Sequence, residues 1–544
     1  MPRTGRRLAI GLGVLAGAAL AISSCDRGTG GAPPPPDYAA GQRAMWQLAP
    51  KDTLVGVVIA DVGSVLQRLR ALRAVVKTGP ATRKYVDQGT AIATAVLGFD
   101  PLDGEGWRGL GIDPAGPFGA FVGDDRRFQL VFRAQDRDRA TATVKKWIAM
   151  TDPSIAAECA PVGALTHCGT AAWALPADPA ASLWPHLQQN VGAAQLAMQV
   201  LAYGPLDEGP AKAALAEGNG PVKAMHAGWG GLTITPARAI LRIGARFDDM
   251  ARVLPYLQPR AGAPSLLGLA VGSVSAARVT FSPDALWALT KTQTANLRIG
   301  APELAAFNAI AGFDLEKDVV ENLTGEIVAA GYRGEPKPGK DGKPRSLLER
   351  TGSVLVLGTR DDARTRRLAD RLGELSGGAI GTFGEAAAGL GVKLSYRGED
   401  GARKVHFLAA DLDADKASFV GVSHFELFVT TTPGGLVFGM TGSALEELRA
   451  REGKAPRDFL DRLPLPEERA AFERSPFVGW GSIGEAFATS LRAEVLRNGA
   501  AQLSPEVGQV LAETMALAQL VYDAVAAVEV SADRAELFYQ LTFL

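Results

Sequence analysis

The chain has 544 residues, 47% of them hydrophobic, with 57 basic and 58 acidic side chains and a formal net charge of -1. Such a near-neutral balance argues against nucleic acid as a partner, because no excess of basic charge is present to meet phosphate. The length and apolar content suffice for a large buried core and for two or more domains.

In chain order, the first 24 residues form a basic start (Arg3, Arg6, Arg7), an apolar and Gly/Ala run from Leu8 to Ile22, and the small pair Ser23-Ser24 before Cys25. That order is the layout of a secretory signal peptide. Fifteen apolar residues fall short of the about 20 that a spanning helix needs, so a cleaved signal fits better than a permanent anchor. Arg6-Arg7 lacks the rest of a twin-arginine pattern.

The stretch Ile22-Ser23-Ser24-Cys25 resembles the lipobox of bacterial lipoprotein precursors. This resemblance implies cleavage just before Cys25, diacylglycerol on its sulfur, and a body held to a bacterial membrane from the periplasm or the cell surface. Each buried methylene contributes about 0.8 kcal/mol, and two or more acyl chains give stable attachment. Asp26 resembles the inner-membrane retention signal of enteric lipoproteins, a rule that varies among bacteria and leaves the leaflet open. Residues 25–44, Gly-rich and with Pro33 to Pro36 in succession, read as an extended tether. Loss of residues 1–24 removes three arginines and no acid, leaving 54 basic against 58 acidic side chains.

Short apolar segments then recur at nearly constant spacing. Leu54-Val55-Gly56, Leu266-Leu267-Gly268 and Phe477-Val478-Gly479 put their glycines 212 and then 211 residues apart. Gly98-Phe99-Asp100 is answered by Gly312-Phe313-Asp314 at an offset of 214, and Leu130-Val131-Phe132 by Leu355-Val356-Leu357 at 225. The growing offset calls for an insertion in the second copy, and the Pro/Gly/Lys stretch from Glu335 to Arg345 suits a surface loop. The expected organisation is a first repeat unit at 45–260, a second at 261–470, and a strand-helix-strand closing segment at 471–544.

Leu232 to Thr235, Ile240 to Ile243 and Leu537 to Phe543 are strand-like, whereas Ser504-Pro505-Glu506 opens a helix with apolar Val507, Val510, Leu511 and Leu517. Strand and helix patterns alternate without a dinucleotide-binding fingerprint, and short links join neighbouring strands. An α+β fold with largely antiparallel sheets is therefore expected. The duplicated arrangement, an early Asp-Thr-apolar strand and a Gly-Phe-Asp element before another strand, resembles a family of bacterial envelope proteins known only as a domain of unknown function. It would cover most of residues 45–544 and brings no catalytic residues.

Cys159 and Cys168 flank a turn-like Pro161-Val162-Gly163. An oxidising compartment would allow them to join, closing a short loop worth about 2.5 kcal/mol in the chain-entropy model. Gly334 to Lys340 has the spacing of a phosphate-binding loop, but Asp341 stands where Ser or Thr should hold magnesium, so a solvated loop fits better. Asp411, Asp413 and Asp415 copy the start of a calcium loop, yet Lys416 and Val422 replace its glycine and its glutamate. His167, His186, His226, His406 and His424 have no close zinc spacing. Ser482, between Gly481 and Gly484, belongs to a repeat segment and lacks a nucleophile-elbow pattern. Arg364, Arg366, Arg367 and Arg371, mixed with Asp361, Asp362 and Asp370, read as a solvated helix face with local pairs.

No catalytic, cofactor or metal residues are assigned, and no cofactor is expected. The functional expectation is a non-enzymatic binding or assembly module of the envelope, whose partners are the membrane, through Cys25, and an envelope protein or lipid ligand. A carrier of lipid or another apolar ligand, and a hydrolase with an unfamiliar site, are the alternatives.

Overall fold

Alternating burial along short β-rich segments, and apolar residues at helical spacing between them, set the layout of the computed structural model. It describes residues 37–206, 225–333, 351–413, 424–482, 508–509, 512–513 and 521–543, less short gaps at 78, 125–126, 152–153, 172, 236–237, 249, 251–253, 259–264, 297–300 and 464. The chain forms two units, one of Met1–Asp248, Gln509–Tyr522 and Asp533–Leu544, the other of Asp249–Gly508 and Asp523–Ala532. Both are α+β and built on antiparallel strands. Cys25, the tether as far as Pro36 and most of the helix expected from Ser504 lie outside the described residues, whereas the last part of the expected 25–44 tether belongs to the helix Tyr38–Trp46.

The first unit contains β1 (Val55–Ile59), β2 (Phe118–Val122), β3 (Phe128–Phe132), β4 (Ala157–Val162), β5 (Leu165–Thr170), β6 (Val200–Pro205), β7 (Met225–Ile234), β8 (Arg238–Phe247) and the terminal strand Arg534–Phe543. They pair in the order β4-β5-β3-β2-β1-β6-β7-β8-terminal strand, always antiparallel. The core on this sheet is aromatic. Trp46, from the helix Tyr38–Trp46, packs against Phe121 and Tyr203 at centroid distances of 5.5 and 6.0 Å, with Leu187 and Leu201 also fully buried beside them.

The second unit contains β9 (Ser275–Thr280), β10 (Leu323–Arg333), β11 (Thr351–Thr359), β12 (Val392–Glu399), β13 (Val405–Leu412), β14 (His424–Thr432), β15 (Gly435–Met440), β16 (Phe477–Gly481) and residues 524–528 of the penultimate strand Val521–Val530. Their order is β12-β13-β14-β15-β11-β10-β9-β16-penultimate strand, again antiparallel. The helix Asp362–Gly389 covers one face at the β12 end, where Leu368 and Ala369 meet Val429 and Leu436.

The two units share a plan. The order β3-β2-β1-β6-β7 in the first corresponds to β11-β10-β9-β16-penultimate strand in the second. A pair of helices follows the first strand in each, Val62–Val76 with Pro80–Leu97 and Pro283–Asn296 with Ala301–Ala311. Each second helix stops at a glycine in the left-handed region, Gly98 at φ 83° and Gly312 at φ 72°, which an L side chain would strain. Asp136 and Asp361 then cap the helix after the third strand, each accepting the backbone N–H three residues on. Ile112 opposite Ala134 is answered by Leu323 opposite Thr359, so the offset grows from 211 to 225. The extra residues fall between β10 and β11, around 334–350, outside the described residues.

Two of the sequence matches change meaning. Leu267–Ala270 is a 3-10 helix, so the strand answering β1 is β9, not Leu266-Leu267-Gly268. Phe477-Val478-Gly479 lies in β16, which flanks β9 as β6 flanks β1. Apolar-apolar-glycine is too short a pattern to separate a strand from a tight buried turn. The units also differ, since the hairpin β14-β15 stands between β13 and β11 where β5 meets β3 directly.

Candidate functional site

A polar cluster that includes a histidine lies in the second unit, between the helix Asp362–Gly389 and strands β12 and β13. Asp370, Gly373 and Gly377 follow one another at helical spacing and share a face of that helix. His406, on β13, is completely buried. Its Nδ1 is 2.7 Å from the Tyr396 hydroxyl and its Nε2 is 3.1 Å from Asp370 Oδ1. The two rings stack at 22° with centroids 6.1 Å apart. A β-carbon on Gly373 would run into the imidazole, and one on Gly377 would come within 3.0 Å of the Tyr396 ring.

In one tautomer Nε2–H donates to the Asp370 carboxylate and Nδ1 accepts the Tyr396 O–H. Every polar group of the ring is then satisfied, as a buried imidazole requires. Chemically the chain Tyr396–His406–Asp370 can pass a proton between a partly exposed phenol and a carboxylate. The imidazole itself, sealed between helix and strand, has no free nitrogen for a substrate.

The other four histidines are dispersed. His186 Nδ1 is 2.7 Å from the Tyr203 hydroxyl, and Asn190 donates to the His186 carbonyl at 2.7 Å. His167 stands 3.3 Å from Gln129 Oε1, and burial lowers its pKa below the usual imidazole value. His226 pairs with Asp248. His424, exposed on β14, lies 2.7 Å from Asp411 across the β13–β14 pair. Among the described residues no group of three or more His, Cys, Asp or Glu has the arrangement of a metal site. Asp415, Lys416 and Val422 of the calcium-like stretch, and the Gly334 to Lys340 loop, lie outside the described residues apart from Asp411 and Asp413.

Cys159 and Cys168 face each other in the β4–β5 register, and their sulfurs are joined. The Ser482 backbone N–H donates to the Val274 carbonyl at 2.9 Å, a strand-end role. On the arginine-rich helix Asp361, Asp362, Arg366 and Arg367 are exposed, as a solvated face would have them, while Arg364, Asp370 and Arg371 are half-buried and have inward partners. Arg371 Nε donates to the Ala311 carbonyl at 2.7 Å, placing a cation at the C-terminal end of the helix Ala301–Ala311. Arg364 reaches the Lys317 carbonyl, also at 2.7 Å, and Asp370 belongs to the His406 network.

Two buried ion pairs were not apparent from the sequence. Glu326 on β10 accepts Arg278 Nε at 2.8 Å, the Ser265 hydroxyl at 2.7 Å and the Leu266 N–H at 2.6 Å. Glu536 on the terminal strand meets Arg242 and accepts Trp229 Nε1–H at 3.1 Å. Both glutamates sit among strand residues where sequence alternation promises only a solvent-facing charge.

Compared with protein families, curated proteins and solved structures, the chain matches none of them. Among the described residues no helix is long and apolar enough to cross a membrane.

Proposed function

We propose that this chain is a bacterial envelope lipoprotein, tethered by lipid on Cys25, whose duplicated α+β body is a non-enzymatic binding or assembly module. The observation that carries the reading is the order of the first residues: a basic start, an apolar run ending at Ile22, Ser23-Ser24-Cys25, and then a Gly/Pro-rich stretch before the helix Tyr38–Trp46.

The body supports a surface-acting role. Trp46, Phe121 and Tyr203 fill the sheet-facing core of the first unit, and Tyr332, Phe428 and Phe472 are as fully buried in the second. An interior closed by such side chains gives little support to the carrier alternative. The hydrolase alternative has the Tyr396–His406–Asp370 chain as its best argument, and it is weakened because both imidazole nitrogens are already engaged.

The anchor is tested by Cys25→Ala, which should move the protein out of the membrane fraction and abolish labelling with radioactive or clickable fatty acid. Persistent acylation would overturn it. The module reading is tested by purifying the protein from its native envelope and identifying what comes with it. A stable protein partner supports it, and a stoichiometric lipid would replace it with the carrier reading.

A further inference from the structure

Strand β12 reads Val392-Lys393-Leu394-Ser395-Tyr396-Arg397-Gly398-Glu399, and among the described residues it pairs on one side only, with β13, in an unbroken eight-residue register. In the first unit the corresponding outer strand, β4, carries Pro161, which lacks an N–H and so blunts that edge. β12 has neither a proline nor a bulge. Its row of backbone donors and acceptors is the kind of edge that accepts another strand.

We propose that β12 pairs antiparallel with β12 of a second copy of this chain, about a two-fold axis at Tyr396. Charge selects this occupant and this register. In an antiparallel pair, directly opposed residues share a face, so symmetric registers differ by moving the axis one residue along the strand. With the axis at Tyr396, Lys393 faces Glu399 of the second copy, twice, and Ser395 faces Arg397. Moving the axis to Ser395 sets Lys393 against Arg397 in both places. Moving it to Arg397 sets the two Arg397 side chains against each other. Only the Tyr396-centred register of these three joins opposite charges and opposes no like ones, and Lys393, Arg397 and Glu399 are all exposed.

The helix above this edge adds to the case. Asp362–Gly389 packs on β12 through Gly377, and in its C-terminal half Phe383 is 63% exposed, with Leu390 just beyond at 66%. A two-fold axis normal to the sheet puts the two copies of this helix on the same face of the joined sheet, one on each side of the axis. This pairing does not depend on lipid at Cys25, so its failure and the failure of the anchor are read separately.

The test is sedimentation of the full chain, extracted from its membrane in mild detergent, across a range of concentrations. The wild-type chain is expected to show a monomer–dimer equilibrium. Lys393→Glu and Glu399→Lys each set like charges against each other at two symmetric places and should weaken the dimer about tenfold. The double variant restores opposite charges in reversed order and should return the affinity to near the wild-type value. Far-UV circular dichroism confirms that each variant is folded. A wild-type chain that stays monomeric overturns the proposal, as does a dimer that is indifferent to the single changes or is not restored by the double one.

Discussion

Gly373 and His406 occupy one space: the helix backbone at Gly373 lies so close to the imidazole that a β-carbon there would collide with the ring. Gly378, five residues on in the same helix, has open space at its β-carbon position. The two glycines are therefore expected to respond oppositely to the same substitution. Gly373→Ala should destabilise the protein by about 1–3 kcal/mol through overpacking. Gly378→Ala should stabilise it by about 0.5–1 kcal/mol through helix propensity. Urea unfolding of both variants against the wild type reads the two signs, and a neutral or stabilising Gly373→Ala would refute the packing.

The Tyr396 hydroxyl and Asp370 meet only through the His406 ring, so their substitutions should be coupled. Tyr396→Phe removes one hydrogen bond to a buried imidazole and should cost about 1 kcal/mol. Asp370→Asn should cost a similar amount, and the double variant should cost measurably less than their sum. A double-mutant cycle in urea gives the interaction energy, and strict additivity would mean that the network is not a unit.

Arg278 and Glu326 are both largely buried, with side chains 15% and 4% exposed. Arg278→Met strands the carboxylate and should destabilise the protein by about 3–5 kcal/mol, whereas Arg278→Met combined with Glu326→Leu should recover much of the loss. Thermal unfolding of the two variants distinguishes a buried pair from a dispensable surface contact, for which Arg278→Met would be nearly silent.

Asp52 supplies an acid-dependent contribution. Burial opposes its ionisation, but the Trp173 indole N–H, 2.6 Å away, and the Arg127 guanidinium outweigh it and hold the carboxyl below its ordinary 3.8. A folded pKa below the unfolded one stabilises the protein above the unfolded value, and the contribution is lost as pH falls from there through the folded pKa. The stability gap between wild type and Asp52→Asn should thus be level from neutral pH down to about 5 and should shrink below 4. Unfolding curves between pH 3 and 7 would show it, and a gap that widens on acidification would reverse the assigned sign.

Cys159 and Cys168 close a short hairpin, at a sequence separation of 9. Replacing both by serine should cost about 2–3 kcal/mol. The same loss should follow reduction of the wild-type protein, and a double variant insensitive to reductant but equal in stability to the oxidised wild type would contradict it.

The sequence made the general class visible because the class depends on local patterns. Alternation in Leu232 to Thr235 and Ile240 to Ile243 does correspond to neighbouring strands, β7 and β8, paired Leu232 to Leu241 and Thr233 to Ile240. Gly98 and Gly312 stood out because a left-handed helix end leaves a mark that few other residues can replace. Gly268 misled, because apolar-apolar-glycine serves a buried 3-10 turn as well as a strand. The His406 network was hidden for a different reason. Its members are separated by 36 and 10 residues, and Asp370 sits in a run of mixed charge whose simplest local reading is solvation. Only tertiary packing tells Asp370 and Arg371, which face inward partners, from Arg366, which faces water.

The way the chain's end is shared out also governs when each half can be finished. The terminal strand lies along β8, in a unit otherwise made almost wholly from the first 248 residues, while residues 523–532 complete the other. A chain synthesised from its amino end must therefore leave the first unit without this strand until residues 534–543 are made, so that loss of those ten residues by a frameshift or by trimming would damage the half of the protein made first.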